Sequence, residues 1–178
     1  MSRTRESENE PRPERRGLPG GISMADGWRF IGLEHGDDKE RLFALHGTPP
    51  AGQIRVNRET KRVLVCYYVK GSPSDSIGVI YDVESERITF VSVLADAEGG
   101  GREVKDHLSA RGISEPLLDF LGRRPCDLIE ALGPPSTSGP EASLRYDRGN
   151  STLAFEAYDR DGGRISRISV FYWHDPES

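Results

Sequence analysis

A metal ion would first be sought at Asp159-Arg160-Asp161-Gly162-Gly163, the one stretch where carboxylates and glycines crowd together. A calcium loop needs alternating carboxylates, a glycine for the sharp turn and a more distant glutamate. The third carboxylate and the closing glutamate are missing, so a hairpin turn is expected instead. His35, His46, His107 and His174 are scattered, and none has a His or Cys partner at ligand spacing, so no metal centre is expected. His46 falls at the end of a predicted helix, where an imidazolium would interact well with the dipole. No Gly-x-Ser-x-Gly elbow presents a nucleophile. Gly99-Gly100-Gly101-Arg102 lacks the Gly-Lys-Ser/Thr of a phosphate loop and reads as a linker. Cys66 and Cys126 form no Cys-x-x-Cys pair and are expected as buried thiols of a reducing compartment. These residues point to no catalytic group and no cofactor.

The aromatic residues point elsewhere. In the last predicted strand Ile168, Val170 and Tyr172 share one face, while Arg167, Ser169, Phe171 and Trp173 share the other. Polar Arg167 and Ser169 mark the second face as the uncovered one, which places Phe171 and Trp173 in the open beside an arginine. In the preceding strand Leu153, Phe155 and Ala157 read as core, leaving Glu156 and Tyr158 outside. Tyr68, Tyr81 and Phe90 are expected to complete the set. Tyr, Trp and Arg on one uncovered face are the residue types that anchor protein interfaces. The competing reading packs these rings under a loop or across a junction within the sheet.

The elements that must position these residues are written twice. Tyr158 to Val170 lies without a gap on Tyr81 to Val93 at a shift of 77 residues, and six of the thirteen positions are identical. Leu42 to Pro50 similarly resembles Leu128 to Pro135, with Leu42 and Gly47 each 86 residues before their counterparts Leu128 and Gly133. Two blocks in the same order argue for a duplicated unit of helix, Gly-Pro turn and closing hairpin. The fold class expected is α+β: two tandem copies of a helix followed by an antiparallel meander, with the helices on one sheet face. Asp37 or Asp38 caps a helix ending near His46, which Gly47 and Pro49-Pro50 terminate. Strands are expected at 53–58, 61–70, 76–83 and 87–95, the second lying centrally because both its faces are apolar. A helix at 102–111, a second opened by Ser114-Glu115-Pro116, and the repeat helix at 125–132 follow. Residues 134–140 read as loop, and strands at 143–147, 151–158 and 164–173 finish the chain.

Composition sets the limits. Among 178 residues 35% are hydrophobic and 30% charged, which suits a modest globular core in one domain or two. The expected division is a disordered tail at 1–24, a first repeat at 25–96 and a second at 97–178. The tail is polar and proline-bearing, with no secretory signal, and no apolar run is long enough to span a bilayer. The protein is therefore expected in the cytoplasm and off the membrane. Its net charge of −5 disfavours nucleic acid and suits a basic protein partner.

A helix, a Leu-Gly-x-Pro turn, a tyrosine-bearing strand and Asp-Gly-Arg-Ile-x-x-Ile are similar to the repeat unit of the SmpA/OmlA family. The tandem arrangement over roughly 37–94 and 115–173 resembles the β-lactamase inhibitory proteins. That resemblance implies a concave sheet used for binding. It does not extend to a lipid-bearing N-terminal cysteine or to paired disulfides. The expected function is thus a non-enzymatic protein-binding module, an inhibitor or immunity protein acting through the open sheet face. The alternative is a small enzyme or ligand-binding domain with a pocket between sheet and helices, Asp106, His107 and Arg111 at its mouth.

Overall fold

The computed structural model describes residues 27–69, 74–139, 143–158 and 162–174. The expected tail at 1–24 and the Asp159-Arg160-Asp161 part of the acidic turn lie outside the described residues.

Helix α1 (Lys39–His46) begins where Asp38 accepts from the Arg41 amide and stops at Gly47, whose φ of 78° few other residues adopt. After a short 3-10 turn come β1 (Ile54–Asn57), β2 (Arg62–Tyr68), β3 (Ser76–Asp82) and β4 (Ile88–Leu94). Helix α2 (Arg102–Ser109) and a 3-10 turn at Pro116–Phe120 lead to α3 (Pro125–Leu132). The chain closes with β5 (Thr137–Gly139), β6 (Ser143–Arg148), β7 (Ser151–Tyr158) and β8 (Arg164–Tyr172). The 3-10 turn is capped by the Glu115 side chain on the Leu117 amide, not by Ser114 as expected. The stretch expected as loop contains β5, because Thr137 to Gly139 find partners along β6.

The eight strands form one antiparallel sheet in the order β1-β2-β3-β4-β8-β7-β6-β5. Strand β2 is therefore next to an edge, not central. The order is a palindrome about the β4–β8 contact, where Ser92 lies opposite Ser169. Each half has a register shift near the end of its last hairpin, between Ile80 and Tyr81 in one and between Glu156 and Ala157 in the other. A bulge there bends the sheet and adds twist.

One face carries the core. Val63, Val65, Ile77, Val79, Val91, Val93, Leu153, Phe155, Ile168 and Val170 all fall on it. They pack with Leu42 of α1, Val104 and Leu108 of α2 and Leu128 of α3 in a single cluster running through both halves. Tyr67 reaches across to donate to the Gly47 carbonyl at 2.7 Å, and Tyr146 donates to the Gly133 carbonyl at 3.1 Å. Each hydroxyl thereby satisfies a carbonyl just beyond a helix end, where intrahelical partners run out.

Residues 27–38 form a strap that sequence reading did not foresee. Trp28 is buried, its indole donating to the Tyr146 carbonyl and its amide to Ser151, with the Arg148 guanidinium 3.8 Å above the ring. At the other end Asp37 accepts from the Ile88 amide through its carbonyl. Between them Phe30 to Leu33 make a tight turn in which buried Ile31 has a φ of 47°. Its amide donates to the Glu115 carboxylate at 2.8 Å and its carbonyl meets His46 Nε2 at 3.1 Å. A β-branched residue at positive φ is strained, and bonds from two other elements hold it there.

Candidate functional site

The sheet face opposite the helices is built from alternate strand residues. Directly paired residues of antiparallel strands share a face. One row across the sheet is Leu64, Ile80, Phe90, Phe171 and Thr152, and the next is Cys66, Gly78, Ser92, Ser169 and Ala154. A third is Tyr68, Ser76, Leu94, Arg167 and Glu156. The middle row is small and lies low between two tall ones, which is why Ser169 and Ala154 are buried although no helix covers them. The Ser169 hydroxyl donates to that of Ser92 at 3.1 Å, so the two satisfy each other at the β4–β8 junction.

Six of the seven residues expected on this face stand on it. Phe90 and Phe171 meet across the β4–β8 contact with ring centroids 4.8 Å apart. Trp173 is 63% exposed and its indole donates to Thr152 at 3.3 Å. Tyr68 is 55% exposed, further out on β2. Glu156 accepts from both the Tyr158 hydroxyl, at 2.9 Å, and the Arg167 guanidinium, at 3.3 Å. Tyr81 is the exception: it pairs with Val63 and packs against the core. The gapless alignment matched Tyr81 with Tyr158, but the turn leading to β8 is one residue longer. Tyr81 pairs with Ile88, and the same place in β7 and β8 is held by Ala157, paired with Ile165.

A cleft of about 720 Å³ lies on this face. Phe90, Phe171, Trp173 and Ile80 give it an apolar side. Arg62, Arg87 and Arg167 face Asp82, Glu84 and Glu156 around it, so its charge is balanced. Asp82 accepts from the Ser85 amide at 2.8 Å. That bond, against the opposing effect of burial, holds its carboxyl below the usual range. Tyr68 and Tyr158 stand on the face outside the cleft lining. His174, at the rim, was missed by sequence reasoning. It stacks on His35 with centroids 4.5 Å apart, and its Nε2 meets the Ile88 carbonyl at 2.8 Å. The two histidines are far apart in the chain, and no spacing rule joins them.

The alternative pocket takes a different form from the one expected. A hollow of about 400 Å³ beside α2 is lined by Lys105, Leu108, Ser114, Glu115 and Asp119, among others, and not by Asp106, His107 or Arg111. Arg111 instead folds back on α2 to donate to the His107 carbonyl at 3.1 Å. Desolvation, and secondarily Arg111, lowers the His107 pKa. Cys66 and Cys126 are unbridged; Cys66 is half-buried on the open face and Cys126 exposed, so the expected burial of both thiols is not found. Among the described residues no group of three or more His, Cys, Asp and Glu is placed to hold a metal ion.

No family model matches the chain, and no curated protein does. Solved structures are similar to it, two of them as follows. One is a DUF4309 family protein, YjgB, from Bacillus subtilis, with a TM-score of 0.53 and 17% identity over 83% of this chain and 88% of that one. The other is a cysteine-rich secretory protein from Staphylococcus aureus, with a TM-score of 0.51 and 9% identity over 86% of this chain. This chain spans about half the length of the latter, 51%. At these identities the likeness is one of fold: helices against an antiparallel sheet.

Proposed function

We propose that the chain is a duplicated α+β unit, in the manner of the SmpA/OmlA-like repeats, that binds a protein through its open sheet face and catalyses nothing. Duplication is supported by the palindromic strand order, the matching bulges and the paired Tyr67–Gly47 and Tyr146–Gly133 bonds. The observation that carries the binding reading is the half-buried Phe90–Phe171 pair, with exposed Trp173 beside it, at the centre of a face that no helix covers. Aromatic anchors beside an arginine are where interface energy concentrates. The net charge of −5 supports a basic partner, and inhibition or toxin neutralisation in the cytoplasm is the role that such a module fits.

The test is a pull-down from host lysate comparing the wild type with Phe171→Ala/Trp173→Ala, after circular dichroism has shown the variant to be folded. A protein retained by the wild type and lost by the folded variant is the expected result. Equal retention by both would remove the open face from consideration. A second reading rests on the cleft volume, about 720 Å³, which falls in the range of small-molecule sites. An apolar fluorescent dye bound by the wild type and released by the double variant, with no protein captured, would favour it.

A further inference from the structure

The free edge of β1 differs from the open face in chemistry as well as in place. Antiparallel pairs alternate between those that exchange hydrogen bonds and those that do not. The Val69 amide donates to the Asp75 carbonyl and the Val83 amide to that of Lys61, so odd-numbered residues of β2 bond towards β3. Even-numbered Arg62 and Leu64 therefore bond towards β1, where their partners are Asn57 and Arg55. Val56 is left with its N–H and C=O pointing out of the sheet, and Ile54 with its C=O, since its N–H donates to the Ala51 carbonyl. The Val56 side chain is 59% exposed, apolar, and on the helix side of an edge that no helix reaches.

Around this edge stand Arg55, Arg58, Lys61 and Arg62, all exposed, against Glu59 in the same stretch and Asp82 and Glu84 across β2. Lys61 is engaged by Glu84 at 2.7 Å, while among the described residues no ion pair occupies Arg55, Arg58 or Arg62. In a chain of net charge −5 this is a local reversal of sign. The opposite edge, β5 (Thr137–Gly139), carries no charge at all.

We infer that β1 is a docking edge for an extended acidic segment of another protein, which adds to the sheet as a further strand. The segment's main chain pairs with both groups of Val56 and with the Ile54 carbonyl, an apolar side chain covers Val56, and alternate carboxylates meet Arg55 and its neighbours. Main-chain pairing supplies affinity in this mode, and side-chain chemistry chooses the partner. The same arginines exclude a second copy, since antiparallel pairing of two β1 strands brings like charges together. One device thus repels self-association and admits acidic strands. The inference stands without the open-face reading, because no residue of β1 lines the cleft and, of the basic residues around the edge, only Arg62 of β2 does.

The test uses a labelled peptide of alternating glutamate and valine, about six residues long, the usual length of a strand. Binding is followed by fluorescence anisotropy at low salt, with a lysine–valine peptide as control. The acidic peptide is expected to bind in a salt-sensitive way and the basic one not to bind. Val56→Pro removes only the outward N–H and leaves the β1–β2 ladder intact, and should weaken binding by about tenfold or more. Arg55→Glu/Arg58→Glu keeps every main-chain bond and should exchange the preference to the lysine peptide. Amide exchange should slow at Val56 and stay unchanged at Arg55, which a purely electrostatic contact would not produce. Failure of the acidic peptide to bind, or equal binding by folded Val56→Pro, overturns the inference. So does a doubled mass in sedimentation that Val56→Pro returns to monomer, since a second copy would then be the occupant.

Discussion

His46 shows how a buried side chain reverses what its place in the sequence suggests. At a helix C-terminus an imidazolium is favoured, yet this ring is 2% exposed, and desolvation brings its pKa down to about 4. Arg111 and His107 add repulsion, Tyr67 offers only its ring, and the hydrogen bond to Ile31 opposes the shift without cancelling it. The folded value lies below the unfolded one, near 6.5. The contribution of neutral His46 is therefore complete above pH 6.5 and is lost as the pH falls towards 4. At about 1.4 kcal/mol per unit this is roughly 3 kcal/mol. Urea unfolding at pH 7 and pH 4.5 should show His46→Gln losing less stability than the wild type between the two. Nearby Glu115 is shifted upward, by burial first, and works in the opposite sense: its protonated form is favoured by folding, so stability falls as the pH rises through its folded value. Gly122 is a second residue with no substitute. Its φ is 80°, and a Cβ there would stand 2.5 Å from the Ala97 carbonyl oxygen, which is main chain and cannot yield. Gly122→Ala should cost roughly 2 kcal/mol or more in urea unfolding.

At the scale of elements, α1 and α3 are short, and each is tied to the sheet by one tyrosine hydroxyl on the carbonyl after its last turn. Tyr67→Phe and Tyr146→Phe should each lower stability by about 1 kcal/mol, the usual contribution of such a bond. Similar losses in the two variants, measured by chemical denaturation, would support equivalent roles; a loss in one alone would speak against the duplication. Most element boundaries were legible because their signals are local: Asp38 and Gly47 around α1, Pro125 and Gly133 around α3, and alternation in β2 and β8. Strand β5 was not legible. Its three residues carry no apolar pattern and are a strand only because β6 lies beside them.

For the molecule as a whole, the strap at 27–38 decides whether two halves mean two domains. It leaves Trp28 against β6 and β7 and meets β4 at its far end, while one hydrophobic cluster runs across both halves. Unfolding should therefore be a single cooperative event. Far-ultraviolet dichroism, which reads the entire sheet, and tryptophan fluorescence, which reads Trp173 in the second half and Trp28 packed against it, should give coincident transitions. Separated midpoints would mean that the halves fold independently.

By itself the sequence determined the helices, seven of the eight strands and the face of β8 on which Phe171 and Trp173 stand, because each depends on periodicity or caps within a few residues. Tertiary structure alone decided the position of Tyr81. One additional residue in the later turn alters how the two hairpins correspond, and in a strand a shift of one residue exchanges faces. It also decided that His46 is neutral, that His35 meets His174, and that the strap binds the second half, since each brings together residues from distant parts of the chain. The free edge of β1 has the same origin: its arginines are plain in the sequence, but which main-chain groups point outward follows from pairing across three strands.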